Sequence, residues 1–286
     1  MNIKNDKADD GYKEMVNKIR RILWYRFIER RLFAHSSYQV EGLLDSNAFY
    51  RNAYGELSNK NKWVRYKNGN VSPNKSLLLS VEKKLPGSSH IFNHVLWTLL
   101  QDKNTLIYEG CLKQLGPDIQ KLVFQKGNLA FLNEFSRPAL TDKKLHAIER
   151  RASIDALACI TILLLESVEN KNSKLTLSLA RSLFRILLVL CASLPWQFCQ
   201  SDIFIIFREK VFSRVASNDY WLQLDGFDFN NSIELLKQYL FHIEDNFLFE
   251  PEKYDPNKIM LDVLCGKYGV QMASSLRLPV GFEKVT

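Results

Sequence analysis

Residues 63–85, WVRYKNGNVSPNKSLLLSVEKKL, decide the fold predicted for the first third of the chain. Glycine reaches the left-handed conformation that closes a helix, and Gly69 is placed to end one here. Pro73 can begin the next helix without losing a hydrogen bond, since the first turn has no use for its missing N–H. Leu78, Val81 and Leu85 then recur at the spacing of one buried helix face. The segment therefore predicts two helices joined by a tight turn.

This pattern resembles the second half of the lambda-repressor-like, or Xre-type, helix-turn-helix family over about residues 58–85. In that family a recognition helix ends in an aromatic residue, a charged residue and a glycine, a proline follows four residues later, and the next helix packs on the core. Trp63 matches the buried position of the recognition helix and Tyr66 matches the aromatic residue. Gly69 and Pro73 match the glycine and the proline.

The resemblance does not extend upstream of Ser58. Family members carry a Gln, a small Ala and a turn Gly at set spacing in the preceding helix, whereas Ala53 and Gly55 lie only two residues apart here. Either the first helices have diverged or the match reflects shared turn chemistry. Short apolar clusters separated by Asn, Ser and Gly predict short helices joined by tight turns. We therefore place the helix-turn-helix module at about residues 38–90.

The resemblance implies that the solvent side of the recognition helix contacts duplex DNA. Asn pairs with adenine and Arg with guanine in the major groove, while Lys holds the flanking phosphates. The predicted DNA-binding residues are Lys60, Asn61, Lys62, Arg65, Tyr66, Lys67, Asn68 and Lys75. The alternative interpretation is the solvated polar face of an ordinary helix.

The excess positive charge of the chain is confined to its first third. Residues 1–100 hold 17 Lys and Arg against 9 Asp and Glu, whereas residues 101–286 hold 22 of each, so the whole surplus of 8 precedes residue 101. Residues 51–84 alone hold eight basic and two acidic residues. A polyanion-binding module attached to a neutral body shows this distribution, because attraction to phosphate acts through local charge. An ordinary basic surface is the alternative.

The chain as a whole is predicted to be all-α, with a small helix-turn-helix module and a larger helical body. Residues 12–34 read as a long, basic, amphipathic helix. The sequence Pro-Gly-Ser-Ser at 86–89 breaks the pattern. We therefore assign residues 1–90 to a basic helical region that contains the module, and residues 91–286 to the body.

The body shows its clearest helical patterns after residue 142. Residues 143–168 predict one helix, and Asn172 or Ser173 can cap a second one that runs to Leu194. The short connection between them favours an antiparallel pair. A further helix is expected to begin at residues 230–232, and the tail from residue 277 is expected to be irregular.

The cysteines and the N-terminus favour a cytoplasmic location. Five scattered cysteines without a CxxC pair indicate neither a disulfide framework nor a cysteine-rich zinc site. The charged residues 1–14 lack the apolar core of an export signal. Leu157–Leu165 and Leu183–Leu194 are the most apolar stretches, and each is too short to cross a bilayer, so both are expected to be core helices.

Two pairs of residues have spacings that occur in catalytic or metal sites. His90 and His94 are four residues apart, as two zinc ligands on a helix are, but no metalloprotease glutamate lies between them and no third ligand is evident. A structural role is favoured for both. Arg30 and His35 form an R-x-x-x-x-H spacing that resembles the signature of the all-helical HEPN ribonucleases, in which such a pair polarises a phosphate and moves a proton.

Glu149, Arg151 and Asp155 fall on the helix predicted at 143–168 and suggest acid–base chemistry. Pairing of Arg151 with Asp155 at helical spacing explains them more simply. No phosphate-binding glycine loop, nucleophile elbow or dinucleotide fingerprint occurs in the sequence. The sequence thus gives no positive case for an enzyme, and no cofactor or metal is expected.

The favoured hypothesis is a cytosolic DNA-binding protein that acts as a transcriptional regulator or as the DNA-recognition component of a mobile-element or phage-defence system. Residues 91–286 would mediate self-association or bind a protein partner, and no membrane partner is expected. One alternative is a helical interaction subunit whose basic segment binds an acidic protein or a structured RNA. A second alternative is a HEPN-like ribonuclease.

Overall fold

The computed structural model of the chain describes residues 3–45, 48–51, 53–55, 57–101, 108–126, 135–215, 220–246 and 254–282. The described chain is mainly helical and its strands are two or three residues long, so the all-α prediction is confirmed. It divides into two compact units, unit 1 (Met1–Trp97) and unit 2 (Thr98–Thr286). Residues 91–97, which the sequence analysis assigned to the body, belong to unit 1.

Unit 1 is organised around one long helix, α1 (Ile3–Arg31), which begins earlier than the helix predicted at 12–34. The elements that follow are α2 (Ser37–Leu44), β1 (Phe49–Arg51), β2 (Leu57–Asn59), α3 (Lys62–Lys67), α4 (Lys75–Lys84), α5 (Ser88–Phe92) and α6 (Val95–Gln101), the last of which crosses the unit boundary. Apart from α1, these helices are at most 10 residues long. Helices this short are not stable alone, so packing against α1 must hold them in place.

Strands β1 and β2 form an antiparallel hairpin in which Phe49 lies opposite Asn59. The prediction that the module contains only short helices is therefore wrong for residues 49–59. Gly55 lies between the strands with a φ of +79°, a conformation that glycine adopts readily in hairpin turns. The Ala-Tyr-Gly sequence that departed from the family spacing thus belongs to a hairpin.

Aromatic rings from α1 and α3 fill the centre of unit 1. The buried residues of this cluster, called here the aromatic core, are Trp24, Tyr25, Ile28, Val40, Leu44, Trp63, Tyr66, Leu77, Val81 and Phe92. Trp24 and Trp63 stack with their ring centroids 5.9 Å apart, and Tyr66 packs edge-on to both of them. Such pairs stabilise a core beyond the area that they bury. The fold of unit 1 therefore depends on rings from two helices that are distant in sequence.

Unit 2 contains longer helices and more aliphatic side chains. Its helices are α7 (Tyr108–Leu112), α8 (Pro117–Val123), α9 (Asp142–Glu149), α10 (Ile154–Glu169), α11 (Ser173–Ala192), α12 (Gln200–Lys210), α13 (Gly226–Asn246), α14 (Pro256–Leu264) and α15 (Val270–Ser275), with short 3-10 helices at Trp196–Cys199 and Phe212–Arg214. Its strands are β3 (Gln125–Lys126), β4 (Phe135–Ser136), β5 (Tyr220–Leu222) and β6 (Val280–Phe282). They pair antiparallel as β3 with β4 and β5 with β6.

Local capping explains where the helices of unit 2 differ from the prediction. The helix predicted at 143–168 is divided into α9 and α10, because Ala152 has a φ of +39° and Ser153 caps α10 by accepting from the N–H of Ala156. Asn172 caps α11 as predicted. Helix α13 begins at Gly226, ahead of the expected start, since the Asp225 carboxylate accepts from the N–H of Phe227. Residues 280–282 form β6, so the tail is not wholly irregular.

Helices α10 and α11 form the centre of unit 2. They are joined by three residues, and buried apolar side chains line both. The Ser167 and Thr176 hydroxyls, 2.9 Å apart, hydrogen-bond across the pair. Among the described helices, α11 alone is long and apolar enough to span a membrane, because its apolar face extends beyond the run 183–194 that the sequence analysis considered. Two thirds of its most apolar window, 67%, is buried within the protein, as in a core helix.

Candidate nucleic-acid interface

The turn after α3 has the geometry that the sequence predicts for Gly69. Gly69 has a φ of +70°. Its N–H donates to the carbonyl oxygen of Tyr66 at 3.0 Å, and the N–H of Asn70 donates to that of Arg65 at 2.9 Å. These two bonds make a Schellman motif, which satisfies the last carbonyl groups of a short helix. The prediction that Gly69 closes the helix in a left-handed conformation is confirmed.

This turn is fixed to α1 by a close backbone contact and by one arginine. A Cβ atom on Gly69 would lie 2.9 Å from the carbonyl oxygen of Lys18, so only glycine fits at this position. Arg21 donates to the carbonyl oxygen of Gly69 at 2.6 Å and to the hydroxyl of Ser72 at 2.8 Å, and it pairs with Glu14. Sequence reasoning counted Arg21 only among the basic residues of an amphipathic helix. The structure shows that it positions the turn.

Helix α4 begins two residues later than the sequence predicts. Pro73 is buried just before the helix, and Asn74 is the cap, because its side-chain oxygen accepts from the N–H of Leu77 at 2.8 Å. The face of α4 that packs on the aromatic core carries Leu77, Leu78, Val81 and Leu85. Of the predicted positions, Val81 is buried and Leu78 and Leu85 are half-buried against the core, and Leu77 is buried as well.

Five of the predicted DNA-binding residues are exposed around α3 and the turn. They are Lys60, Asn61, Arg65, Asn68 and Lys75, and they are called here the basic face. Lys62 and Lys67 are half-buried, and the Lys62 ammonium lies 3.5 Å from the Asp45 carboxylate. In the part of the chain that the structure describes, no ion pair involves Lys60, Arg65, Lys67 or Lys75. Their charges are therefore not neutralised by described neighbours.

Tyr66 differs from the other predicted contact residues because it lies inside the protein. Its side chain is 2% exposed and packs against Trp24 and Trp63. Burial raises the pKa of its hydroxyl to about 12. Tyr66 follows Trp63 by three residues and so shares its face of α3. The assignment of Tyr66 to a DNA-contacting surface is therefore corrected: its ring holds α3 on α1.

Residues 57–81, which carry the basic face, have a positively charged composition. Residues 57–81 contain five Lys and Arg, five Asn, and no Asp or Glu. Trp63, Tyr66, Leu77 and Val81 of the segment are buried in the aromatic core, while the basic face remains in solvent. The arrangement concentrates hydrogen-bond donors and positive charge on one short stretch of surface.

The HEPN-like pair does not share one helix. Helix α1 ends at Arg31, and Phe33 has a φ of +51°, so the chain changes direction between Arg30 and His35. Both residues are exposed. The backbone N–H of His35 donates to the side-chain oxygen of Gln39 at 2.6 Å. The two residues of the ribonuclease alternative are therefore exposed side chains on either side of a turn.

The two histidines near the end of unit 1 lie in van der Waals contact. The rings of His90 and His94 are perpendicular, with centroids 4.9 Å apart. The Nδ1 atom of His94 accepts from the backbone N–H of Leu96 at 3.1 Å. This hydrogen bond helps to order the start of α6.

The acidic and basic residues at 149–155 are arranged differently from the prediction. The break between α9 and α10 removes the helical spacing on which a pair between Arg151 and Asp155 depended. Asp155 accepts from the backbone N–H of Gly116 at 2.8 Å. Glu149 is buried, and one of its oxygens accepts from Arg185 at 2.5 Å. Sequence reasoning did not identify Arg185 as its partner, because 36 residues separate them.

The candidate site of unit 1 is therefore a surface and not a cleft. Helix α3 presents it, the turn at Gly69 shapes it, and the aromatic core and Arg21 hold it on α1. Its chemistry is that of donors and positive charge, which suits an extended polyanion. Comparisons of the chain with family models, curated proteins and solved structures found no match.

Proposed function

We propose that unit 1 binds nucleic acid, specifically duplex DNA, through the basic face. One observation carries this proposal: residues 57–81 expose the cations and amides of the basic face and contain no acidic residue, while buried rings and aliphatic side chains hold the segment on the aromatic core. An ordinary solvated surface mixes both signs of charge. A positively charged surface whose cations form no ion pairs within the protein is favoured where the ligand supplies the negative charge.

The residues of the basic face fall into two chemical roles. Arg65, Asn61 and Asn68 have the side chains that read guanine and adenine edges in the major groove. Lys60 and Lys75, at the two ends of the segment, suit the flanking phosphates. Helix α3 has six residues and is thus about 9 Å long, and a major groove about 12 Å wide admits an α-helix. This division of roles is part of the proposal.

Unit 2 has a balanced charge and is proposed to mediate self-association or to bind a protein partner. A DNA-binding unit joined to such a body suits a transcriptional regulator, or the DNA-recognition component of a mobile-element or phage-defence system. Self-association would place two basic faces on one DNA, and linked sites bind more tightly than single ones.

The test replaces Lys60, Arg65 and Lys75 together with glutamine. All three side chains are exposed, and the change leaves the pair between Lys62 and Asp45 intact. Binding of the full chain to a random-sequence duplex is measured by fluorescence anisotropy between 50 and 200 mM salt. Each lost phosphate contact lowers the slope of log K against log salt by about 1, so we expect a slope shallower by about 2 to 3 and weaker binding throughout.

The matched control replaces Lys121, Lys143 and Arg151, which are exposed on unit 2, with glutamine. The net charge changes by the same amount, so equal effects of the two triple variants would show that only bulk charge matters and would refute the proposal. Single-stranded DNA and structured RNA are titrated in parallel. Tighter binding to RNA than to duplex DNA would favour the interaction-subunit alternative, and RNA cleavage lost in His35→Ala would favour the ribonuclease.

A further inference from the structure

A cavity of about 680 Å³ lies in unit 2, among α9, α11, α14, α15 and the segment before β6. Its wall includes three arginines and one histidine, Arg181, Arg185, Arg277 and His146. The rest of the lining is apolar or small, and none of the lining residues is acidic. Cavities that bind small molecules have this size and a wall of apolar side chains with a few polar groups.

One of the three arginines has its charge balanced inside the protein. The Arg185 guanidinium donates to one oxygen of the buried Glu149 carboxylate at 2.5 Å. The other Glu149 oxygen lies 2.9 Å from Nδ1 of His146. Both oxygens of this carboxylate are thus engaged. The Glu149 carboxylate therefore holds Arg185 and His146 in the cavity wall.

The other two arginines keep their charge. Arg181 and Arg277 are exposed, and neither forms an ion pair within the described residues. A guanidinium presents a planar set of donors that matches the two oxygens of a carboxylate or a phosphate. The side of the cavity that they line therefore has a positive charge that the protein itself does not neutralise.

The rest of the cavity wall is mostly apolar. Leu264, Leu276 and Leu278 are buried side chains that line the cavity, and Ala273 lies beside them. Apolar surface of this kind stabilises the apolar part of a ligand, because both surfaces are removed from water on contact. The cavity thus joins a cationic side to an apolar wall.

We infer that this cavity binds a small organic anion, in which a carboxylate or a phosphate is attached to an apolar body. Arg181 and Arg277 contact the anionic group, and the leucine wall contacts the body. This assignment does not depend on the nucleic-acid function proposed for unit 1. It gives unit 2 a ligand site of its own.

Cys265 provides a direct measure of occupancy. It lines the cavity and is exposed, whereas the other four cysteines are buried. A thiol reagent should therefore react first at Cys265 in the folded protein. Partial removal of the sulfur from water raises the pKa of this thiol, so labelling is followed above pH 8, where more of the reactive thiolate is present.

The experiment follows the labelling rate of the full chain in the presence of octanoate, adenosine monophosphate or inorganic phosphate. We expect octanoate or adenosine monophosphate to slow labelling in a saturable way and to raise the melting temperature. In the double variant Arg181→Gln/Arg277→Gln the apparent affinity should fall at least tenfold. Arg208→Gln, which removes an arginine outside the cavity, should leave the affinity unchanged.

Three outcomes would overturn the inference. The first is that none of the three anions slows labelling. The second is equal protection of the wild-type protein and the double variant. The third is protection by inorganic phosphate as strong as that by the two organic anions, since the apolar wall would then contribute nothing. Circular dichroism shows whether the double variant folds, and Arg181→Lys/Arg277→Lys, which keeps both charges and loses the planar donors, should bind with intermediate affinity.

Discussion

Units 1 and 2 are both helical, but different interactions hold them together. Unit 2 is centred on two long helices, α10 and α11, whose buried faces are mostly aliphatic. Unit 1 has one long helix and several short ones, which are held by stacked aromatic rings and by polar side chains that bind backbone turns. Short helices gain little stability from their own hydrogen bonds. Unit 1 therefore needs anchors that unit 2 can do without.

The distribution of charge follows the same division. The whole surplus of positive charge lies in unit 1, and unit 2 holds equal numbers of acidic and basic residues. In α3 the residues for stability and those for the proposed binding lie on different faces. Trp63 and Tyr66 point to α1, and Arg65 points to solvent. A helix of six residues can thus present a cation because its rings hold it in place. Stability and proposed binding should therefore respond to different substitutions.

The largest expected effect tests the aromatic core. Trp63→Ala removes a fully buried ring that contacts Trp24 and Tyr66, and it should lower the free energy of unfolding by about 3–5 kcal/mol in urea denaturation. Val64→Ala, on the exposed side of the same helix, should change it by less than about 0.5 kcal/mol. Equal effects of the two variants would mean that the rings do not carry the stability of unit 1.

The next prediction concerns the ion pair of Glu149 and Arg185 in unit 2. Like the contact of Arg21 with the Gly69 turn in unit 1, it is a polar contact between residues that are distant in sequence. Arg185→Ala leaves a 2% exposed carboxylate without its main partner and should lower the free energy of unfolding by about 2–3 kcal/mol. Arg181→Ala, on the same helix but exposed, should cost less than about 0.5 kcal/mol. If both cost the same small amount in thermal unfolding, unit 2 is stabilised by apolar packing alone.

Local rules explain what the sequence predicted correctly. Gly69, Asn172 and the apolar spacing of α4 act within a few residues, so their effects are readable from the pattern alone. The same is true of the exposed position Arg65, which lies two residues after the buried Trp63 on a helix and therefore faces the other way.

Contacts between distant residues explain what the sequence did not predict. Arg21 holds a turn 48 residues away, and Arg185 pairs with Glu149 across 36 residues. Neither pairing leaves a periodic signal in the sequence. The hairpin at 49–59 was mistaken for helix because its strands have three residues each, too few to show alternation. Tyr66 was assigned to the surface because a motif position does not specify burial.

One glycine turn in each unit allows the packing around the two turns to be compared. Gly69 and Gly266 both have positive φ angles, +70° and +82°, so alanine is strained at either position. A Cβ on Gly69 would also lie 2.9 Å from the Lys18 carbonyl oxygen, whereas a Cβ on Gly266 would lie 3.7 Å from the nearest carbon of Ala273, an ordinary contact. We expect Gly69→Ala to cost about 2–3 kcal/mol and Gly266→Ala about 1 kcal/mol in urea denaturation. A larger loss at Gly266 would contradict the close docking of the turn on α1.

The smallest expected effect concerns the second polar anchor of unit 1. The Glu82 carboxylate accepts from the N–H of Gly87 at 2.8 Å and from that of Ser89 at 2.6 Å, and these bonds lower its pKa to about 2. Because the folded pKa lies below the ordinary value of 4.5, the stabilisation is complete above pH 4.5 and is lost as the pH falls toward 2. Glu82→Gln should therefore cost about 1 kcal/mol at pH 7, and the difference from wild type should shrink below pH 4.5.

The control for this anchor is Glu234→Gln in unit 2, where the carboxylate is mostly exposed and pairs with Lys237 one turn along α13. An exposed pair of this kind contributes at most about 0.5 kcal/mol. Urea denaturation of both variants from pH 3 to pH 7 separates the two cases. A loss at Glu82 that does not depend on pH would show that packing, and not the charge on the carboxylate, holds the start of α5.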